Sequence, residues 1–394
     1  MKKRIHARKH RLVGVVVLIL CFSVAALIFL KYSGNRNIAV PFHKNVNKTF
    51  VHPGTSLETK PLHAEDTSLT KSIARVRSAF NLYLDDVHFS GTAVLVSHGH
   101  VVLDKGYGYR NVRLHLPNKP STEYYIGSIT KSVTAVAFMQ MRQQGLISFN
   151  THVSQFYPDF PNGRSISMLD LLCHVSGLRG IPETSQYVTR DEQVQRIADW
   201  NLRLSYRPGS RWSYQDDNYT LVASILDKVS LKAYGETLHQ FIQKNIFDKA
   251  HMTHAGFKNA MLQSSYRSFP YTGIISKPIP SFTQLFGCGD VYMSAWDLYL
   301  FDQALADGTL LSDASYHTIF QKHFNVSDYT LGWYLNRAGW GNRTYSSHGV
   351  LGGWNGSNAF SMDRQNFVVL LSNSSRTSGI FAHANYMTFD MLSK

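Results

Sequence analysis

Residues 125–141, "YIGSITKSVTAVAFMQM", set a serine directly ahead of a long apolar run and a lysine three positions beyond it. On a helix, Ser128 and Lys131 are one turn apart and share a face. Two readings compete. In one, Ser128 caps the helix and Lys131 is a surface charge. In the other, they are a nucleophile and its base. A serine at a helix N-terminus lies in the positive field of unpaired backbone N–H groups. A lysine against an apolar wall loses solvation, so its neutral form becomes accessible and can take the serine proton. The S-x-x-K spacing recurs by chance, so the surrounding sequence has to decide.

Outward from this run, the helix is expected to stop at Gly145. Upstream, "SLTKSIARVRSAFNLYL" repeats apolar residues at Leu69, Ile73, Val76, Phe80 and Leu84, a helical period. "GTAVLVSHGHVVLDKGYGY" then reads as a hairpin turning at His98-Gly99. From Ser128 to about residue 310 the pattern is mainly helical, with amphipathic stretches at "LDLLCHVSGL", "NYTLVASILDKVS" and "SAWDLYLFDQALADG". Strands return after residue 328 in "YTLGWYL", "NRTYSSHG", "SNAFSMD" and "NFVVLLSN", and a helix closes the chain at "IFAHANYMTFDMLS". A sheet built from both ends of one α+β domain, residues 69–394, around an inserted helical lobe accounts for this order.

The first 68 residues are of another kind. The uncharged span 12–30, "LVGVVVLILCFSVAALIFL", would cover roughly 28 Å as a helix, about a bilayer core. It is longer than a usual signal-peptide core and no small-x-small site follows it. It therefore reads as a retained transmembrane anchor. Six Lys/Arg lie within residues 1–11, which keeps that end cytoplasmic and the remainder extracellular. Residues 31–68 read as a linker, spanning roughly 35 Å as a flexible coil. Of the formal net charge of +14, those six leave +8 on the outer part, a solvated basic face or one that attracts a surface polyanion. Beside a membrane span, the basic N-terminus is a poor candidate for a nucleic-acid arm. Cys173 and Cys288 sit in apolar or glycine-rich contexts and are expected to be buried free thiols, so the domain is not disulfide-stapled.

Several further stretches identify the chemistry. "YIGSITKSVTA", "LLCHVSGL", "PGSRWSYQDDNY", "FGCGDVYMSAWDLYLFDQAL", "LGWYL" and "VVLLSN" follow one another in an order that resembles the serine β-lactamase-like, penicillin-recognising family. The resemblance is closest to its class C-type branch and runs from about residue 69 to the last helix. It implies a β-lactamase/transpeptidase-like fold, with an antiparallel sheet flanked by helices. By it, Ser128 is the nucleophile, Lys131 the base, and Tyr214 the tyrosine that relays a proton to the leaving group. The N–H of Ser128 and one on the strand after His348 would form the oxyanion hole. No S-D-N triplet appears, against the class A pattern. "HVSGL" lacks the first glycine of a nucleophile elbow. "HGH" at 98–100 and "HMTH" at 251–254 have no third ligand nearby and read as a turn and surface histidines, so no metal and no cofactor is expected.

Two departures from the family pattern carry the substrate argument. Where the second motif reads Tyr-x-Asn, this chain has Tyr214-Gln215-Asp216; where the third reads Lys-Thr-Gly or His-Thr-Gly, it has His348-Gly349-Val350. In penicillin-binding relatives that lysine and threonine hold the free carboxylate of a D-Ala-D-Ala end or a β-lactam. A neutral histidine and a glycine hold a carboxylate poorly, and Asp216 adds negative charge beside the nucleophile. Asp216, His348 and Gly349 are thus read as substrate-binding residues of a cleft that suits a cation. A D-alanyl ester of teichoic acid offers an ammonium and no carboxylate on its alanine, on a polyanion near the membrane. The chain is most similar to the penicillin-binding-protein-like D-alanyl esterases that act on lipoteichoic acid in Gram-positive bacteria. The alternatives are a D,D-carboxypeptidase trimming peptidoglycan peptides and a non-catalytic β-lactam-binding sensor.

Overall fold

A computed structural model describes residues 67–277, 282–377 and 379–392. The basic N-terminus, the 12–30 span and nearly all of the linker lie outside them. Among the described residues, no helix is long and apolar enough to cross a membrane.

The chain opens with helix α1 (Thr67–Asp86), which buries Val76, Phe80 and Leu84. Strands β1 (Gly91–Ser97) and β2 (His100–Tyr107) follow as the expected hairpin. Its two-residue turn has positive φ at both His98 (50°) and Gly99 (76°), the backbone that matches the strand twist. Strand β3 (Glu123–Tyr125) leads through a single 3-10 turn, Gly127–Ile129, into α2 (Thr130–Gln143). Helix α2 ends where the sequence puts its stop. Gly145 turns left-handed (φ 73°), and Gly145 N–H and Leu146 N–H return to the carbonyls of Arg142 and Met141, each at 3.0 Å.

The inserted lobe carries α3 (Met168–Leu172), α4 (Arg190–Trp200), α5 (Asp216–Tyr234) and α6 (Leu238–Ile242). It is less purely helical than its periodicity suggests. Strands β4 (Gly256–Phe257) and β5 (Val291–Ser294) join β3 in a small sheet of order β3-β5-β4. The stretch "LDLLCHVSGL" is a helix only to Leu172, because the chain reverses at His174 (φ 57°). Helices α7 (Ala295–Ala306) and α8 (Asp313–Phe320) lead back to strands β6 (Tyr334–Leu335), β7 (Thr344–Leu351), β8 (Trp354–Ser361) and β9 (Asn366–Ser372), and α9 (Ile380–Leu392) ends the fold. Of "YTLGWYL" only Tyr334–Leu335 pairs in the sheet. Gly332 is pressed onto α2 instead, where an added Cβ would stand 2.9 Å from Ser132 Cα.

The main sheet is antiparallel, with order β6-β7-β8-β9-β1-β2, so the two ends of the domain meet at the β9–β1 pair. Strands β1 and β9 are buried along their whole lengths. Ala93, Leu95, Val368 and Leu370 pack under α1 and α9, while Val94, Val96, Val369 and Leu371 pack toward the lobe. The two-residue strand period divides one set from the other. Cys173 and Cys288 are free and buried, as expected. His254 is no bare surface histidine, since its ring pairs with Glu123 at 3.3 Å. Among the described residues no cluster of three metal-binding side chains occurs.

Candidate active site

Ser128 sits in the 3-10 turn rather than in α2 itself and is half-buried. Two glycines let the β7 backbone close on that turn. An added Cβ on Gly349 would stand 1.8 Å from Ile126 O and 3.0 Å from Ser128 N; one on Gly127 would stand 2.8 Å from Val350 O and 2.9 Å from Val350 N. Only residues without a side chain allow this approach. It brings the amide groups of Ser128 and Val350 close together, as an oxyanion hole requires.

Lys131, one turn further on, is 0% exposed. Its ammonium donates to Ser128 Oγ (2.9 Å), Asp216 Oδ1 (2.6 Å) and the Cys288 carbonyl (3.0 Å), which satisfies all three N–H groups. Burial alone would push its pKa down. The Asp216 carboxylate, with Tyr214 and Cys288, outweighs burial and holds it above the ordinary lysine range. This corrects the expectation that apolar surroundings make neutral Lys131 accessible. In the resting site Lys131 is charged. The Cys288 carbonyl is aimed by its own turn, in which Gly287 N–H donates to Asp290 Oδ1 at 2.9 Å and Asp290 Oδ2 pairs with His239.

Asp216 begins α5, where a carboxylate is favoured by the helix N-terminus, and its side chain is 49% exposed. It is not a free anion facing an empty cleft, as its sequence position suggests, because one oxygen already holds Lys131. Its neighbour Asp217 points into the protein and accepts the Ile181 N–H at 2.8 Å. Burial, with the Asp216 charge beside it, pushes the Asp217 pKa up to about 7. Tyr214, on the loop before α5, lies with its ring centroid 4.9 Å from Lys131 Nζ and 4.3 Å from the His174 ring.

The structure therefore brings Ser128, Lys131, Tyr214, Asp216 and Gly349 together, and it separates His348 from them. Ser347 and His348 leave β7 on opposite faces. Ser347 lies opposite Asn358, whose amide reaches Asp302 of α7, on the lobe side. His348 lies opposite Ser357, which is bonded to Asn385 of α9, and its ring meets Trp340 and Phe381 on that far side. Burial, then the charge of Arg337, push its pKa down to about 4, so it is neutral but turned away from Ser128. Assigning His348 to the substrate is corrected on this ground.

Two residues escaped the sequence reading. Arg337 stacks on Trp340 (4.2 Å) and Tyr334 (4.8 Å), has no acidic partner among the described residues, and leaves one guanidinium nitrogen buried and unpaired. The stretch "NRAGWGNR" matches no motif, and nothing in it marked this arginine. His174 is the other; it was visible in "LLCHVSGL", but only as part of a family motif.

Comparison with known proteins places these features in a wider group. Residues 76–390 match the family model described as Beta-lactamase. PbpX of Bacillus subtilis (strain 168) is 38% identical over 77% of this chain and 75% of its own. The teichoic acid D-alanine hydrolase of Staphylococcus aureus is 25% identical over 66% of this chain and 69% of its own. The crystal structure of FmtA from Staphylococcus aureus matches with a TM-score of 0.68 at 21% identity, covering 80% of this chain and 91% of that one, which shows the fold.

Proposed function

The chain belongs to the Beta-lactamase family of serine hydrolases, and from that premise we propose that it releases D-alanine from D-alanyl esters of a teichoic-acid polymer through an acyl-enzyme on Ser128. One observation carries the reading. Lys131 Nζ is 2.9 Å from Ser128 Oγ, while the carboxylate that keeps it charged, Asp216, is half open to solvent. A D-alanyl ammonium entering the cleft competes with Lys131 for that carboxylate. Once Asp216 is shared, burial dominates at Lys131 and favours its neutral form.

The steps then follow in order. Ser128 Oγ attacks the ester carbonyl as its proton passes to Lys131 Nζ. The amides of Ser128 and Val350 hold the oxyanion. The Tyr214 hydroxyl gives its proton to the departing polymer oxygen and regains one from Lys131. Water repeats the relay and D-alanine leaves. Every step uses a group of this chain or water.

A second reading, cleavage of D-Ala-D-Ala peptides, is favoured by Arg337, a cation with no acidic partner among the described residues that stacks on Tyr334 and interacts electrostatically with Tyr214. Both readings release D-alanine and differ in its source, so each substrate is assayed on its own. With D-alanylated lipoteichoic acid and a D-Ala-D-Ala peptide offered at equal concentration, mass analysis should find D-alanine released from the polymer at least about tenfold faster, a gap of roughly 1.4 kcal/mol in the barrier. Penicillin should acylate Ser128 slowly and be turned over poorly. Efficient cleavage of the peptide would give the second reading the site.

The reading also takes residues 12–30 as an anchor with the domain outside the cell. Protease added to intact cells should then shave the domain from their surface. A domain that stays protected, or is shed with a trimmed N-terminus, would reject the anchor and leave the chemistry untouched.

A further inference from the structure

We propose that His174, as the neutral Nε2–H tautomer, is the positioning residue that aligns the phenol of Tyr214 with Ser128 and Lys131. The inference rests on the reading of Tyr214 as the proton relay. Tyr214 lies on a loop, and a loop tyrosine has no fixed phenol unless something fixes it. His174 grips that loop on both sides. Its carbonyl accepts the Ser213 N–H at 2.8 Å, and its Nδ1 accepts the Gln215 N–H at 3.3 Å. Between these anchors the two rings lie 4.3 Å apart at 33°.

The tautomer follows from the donors. A backbone N–H can only donate, so Nδ1 must be an acceptor and the ring proton sits on Nε2. Asn218 agrees. Its Oδ1 accepts the Ser176 hydroxyl, which leaves its Nδ2 to donate to His174 Nδ1 at 3.0 Å. Ser176 Oγ in turn accepts the Leu178 N–H at 3.2 Å. The Tyr219 and Tyr329 rings, at 5.2 and 4.9 Å, pack around the imidazole, and Nε2 is buried without a hydrogen-bond partner. An imidazolium would lose the Nδ1 acceptor and bring a second positive charge toward Lys131. The surroundings forbid it: burial first, then the Lys131 charge, hold the His174 pKa well below its usual value. Helix α3 ends two residues earlier, and the positive φ of His174 (57°) is what turns its ring back onto Tyr214. Asparagine tolerates that backbone and offers an acceptor close to the Nδ1 position; phenylalanine keeps the ring and removes the acceptor.

The test uses the leaving group. With the full-length protein, kcat/KM is measured for a D-alanyl alkyl ester, whose alkoxide needs a proton, and for a D-alanyl 4-nitrophenyl ester, whose phenolate does not. His174→Phe should lower kcat/KM for the alkyl ester by about 30–100-fold, at or below the lower end of the range of general acid catalysis because the phenol is misaligned and not removed, and by less than about threefold for the nitrophenyl ester. His174→Asn should stay within about threefold of the parent on both. Labelling of Ser128 by a fluorophosphonate counts the folded sites, and His174→Ala takes the place of His174→Phe if that variant does not fold. Equal losses on both esters, or an Asn variant as poor as the Phe one, would overturn the proposal and leave His174 a purely structural residue. Tyr214→Phe is run in parallel. If it shows no dependence on the leaving group, the relay reading of Tyr214 fails. If it shows the dependence and His174→Phe does not, only the positioning role fails.

Discussion

Ser128→Ala should abolish ester hydrolysis while leaving the fold in place. Removal of a serine nucleophile that acts as one unit with its base lowers kcat by roughly 10⁵–10⁶-fold, the remainder coming from binding and the oxyanion hole. The effect on stability should be small, because Ser128 is half-buried and its hydroxyl accepts a bond from Lys131, which keeps Asp216 and the Cys288 carbonyl. Thermal unfolding of the variant should therefore stay within a few degrees of the parent, a change of about 1 kcal/mol or less. A fluorophosphonate should label the parent at Ser128 alone. Ser176, in the motif "LLCHVSGL", is 1% exposed and spends its hydroxyl on Asn218, so it is shielded from the reagent. Label at Ser176, or full activity in Ser128→Ala, would remove the nucleophile assignment.

Asp216→Asn should split substrates by charge. On a D-alanyl ester the variant loses the partner of the substrate ammonium. Truncating one side of a desolvated charge pair costs 2–5 kcal/mol, and half-exposed Asp216 belongs at the lower end, about 2 kcal/mol or roughly 30-fold in kcat/KM. On the N-acetylated ester there is no ammonium to lose, and the second effect shows alone. Asp216 holds the Lys131 pKa up; without it, burial pulls that pKa down. A base works when deprotonated, so the rising limb of the pH–rate profile should move to lower pH and the neutral ester should be cleaved faster near pH 7. Opposite signs on the two esters are the signature. Equal losses on both would reject ammonium recognition at Asp216, and with it the main ground for preferring an esterase to a peptidase.

What the sequence shows and what it hides separate along physical lines. The Ser128–Lys131 spacing is local, and a helical period places two residues on one face wherever the helix ends up. The His98-Gly99 turn is local too, and the paired periodicities at the two ends of the chain imply that they share a sheet. The role of His348 depended on which face of β7 it occupies. Strand parity is set by register against β8, so a one-residue offset moves a side chain from the cleft to the far face. The partner of Lys131 was hidden for a different reason. Asp216 is 85 residues away and the Cys288 carbonyl 157, and a carbonyl has no signature in a sequence because every residue carries one. The sequence leaves Lys131 either a surface charge or a base until the family motifs are added, and its charge state depends on these distant partners.

Strand β1 has a consequence for how the protein is made. Its core neighbours are β2, which follows at once, and β9, near the other end of the domain; Ser372 Oγ donates to Ser90 O across 282 residues of chain. At a synthesis rate of roughly 5–20 residues per second, that interval lasts about 15–60 s. During it "GTAVLVS", fully buried once folded, presents an open apolar edge of the kind that pairs with other chains. Contacts this remote in sequence also make folding slow once synthesis is complete. A chain cut short before β9 would therefore be an aggregation-prone fragment with one edge of β1 left open, so a segment made late decides whether the whole domain becomes soluble.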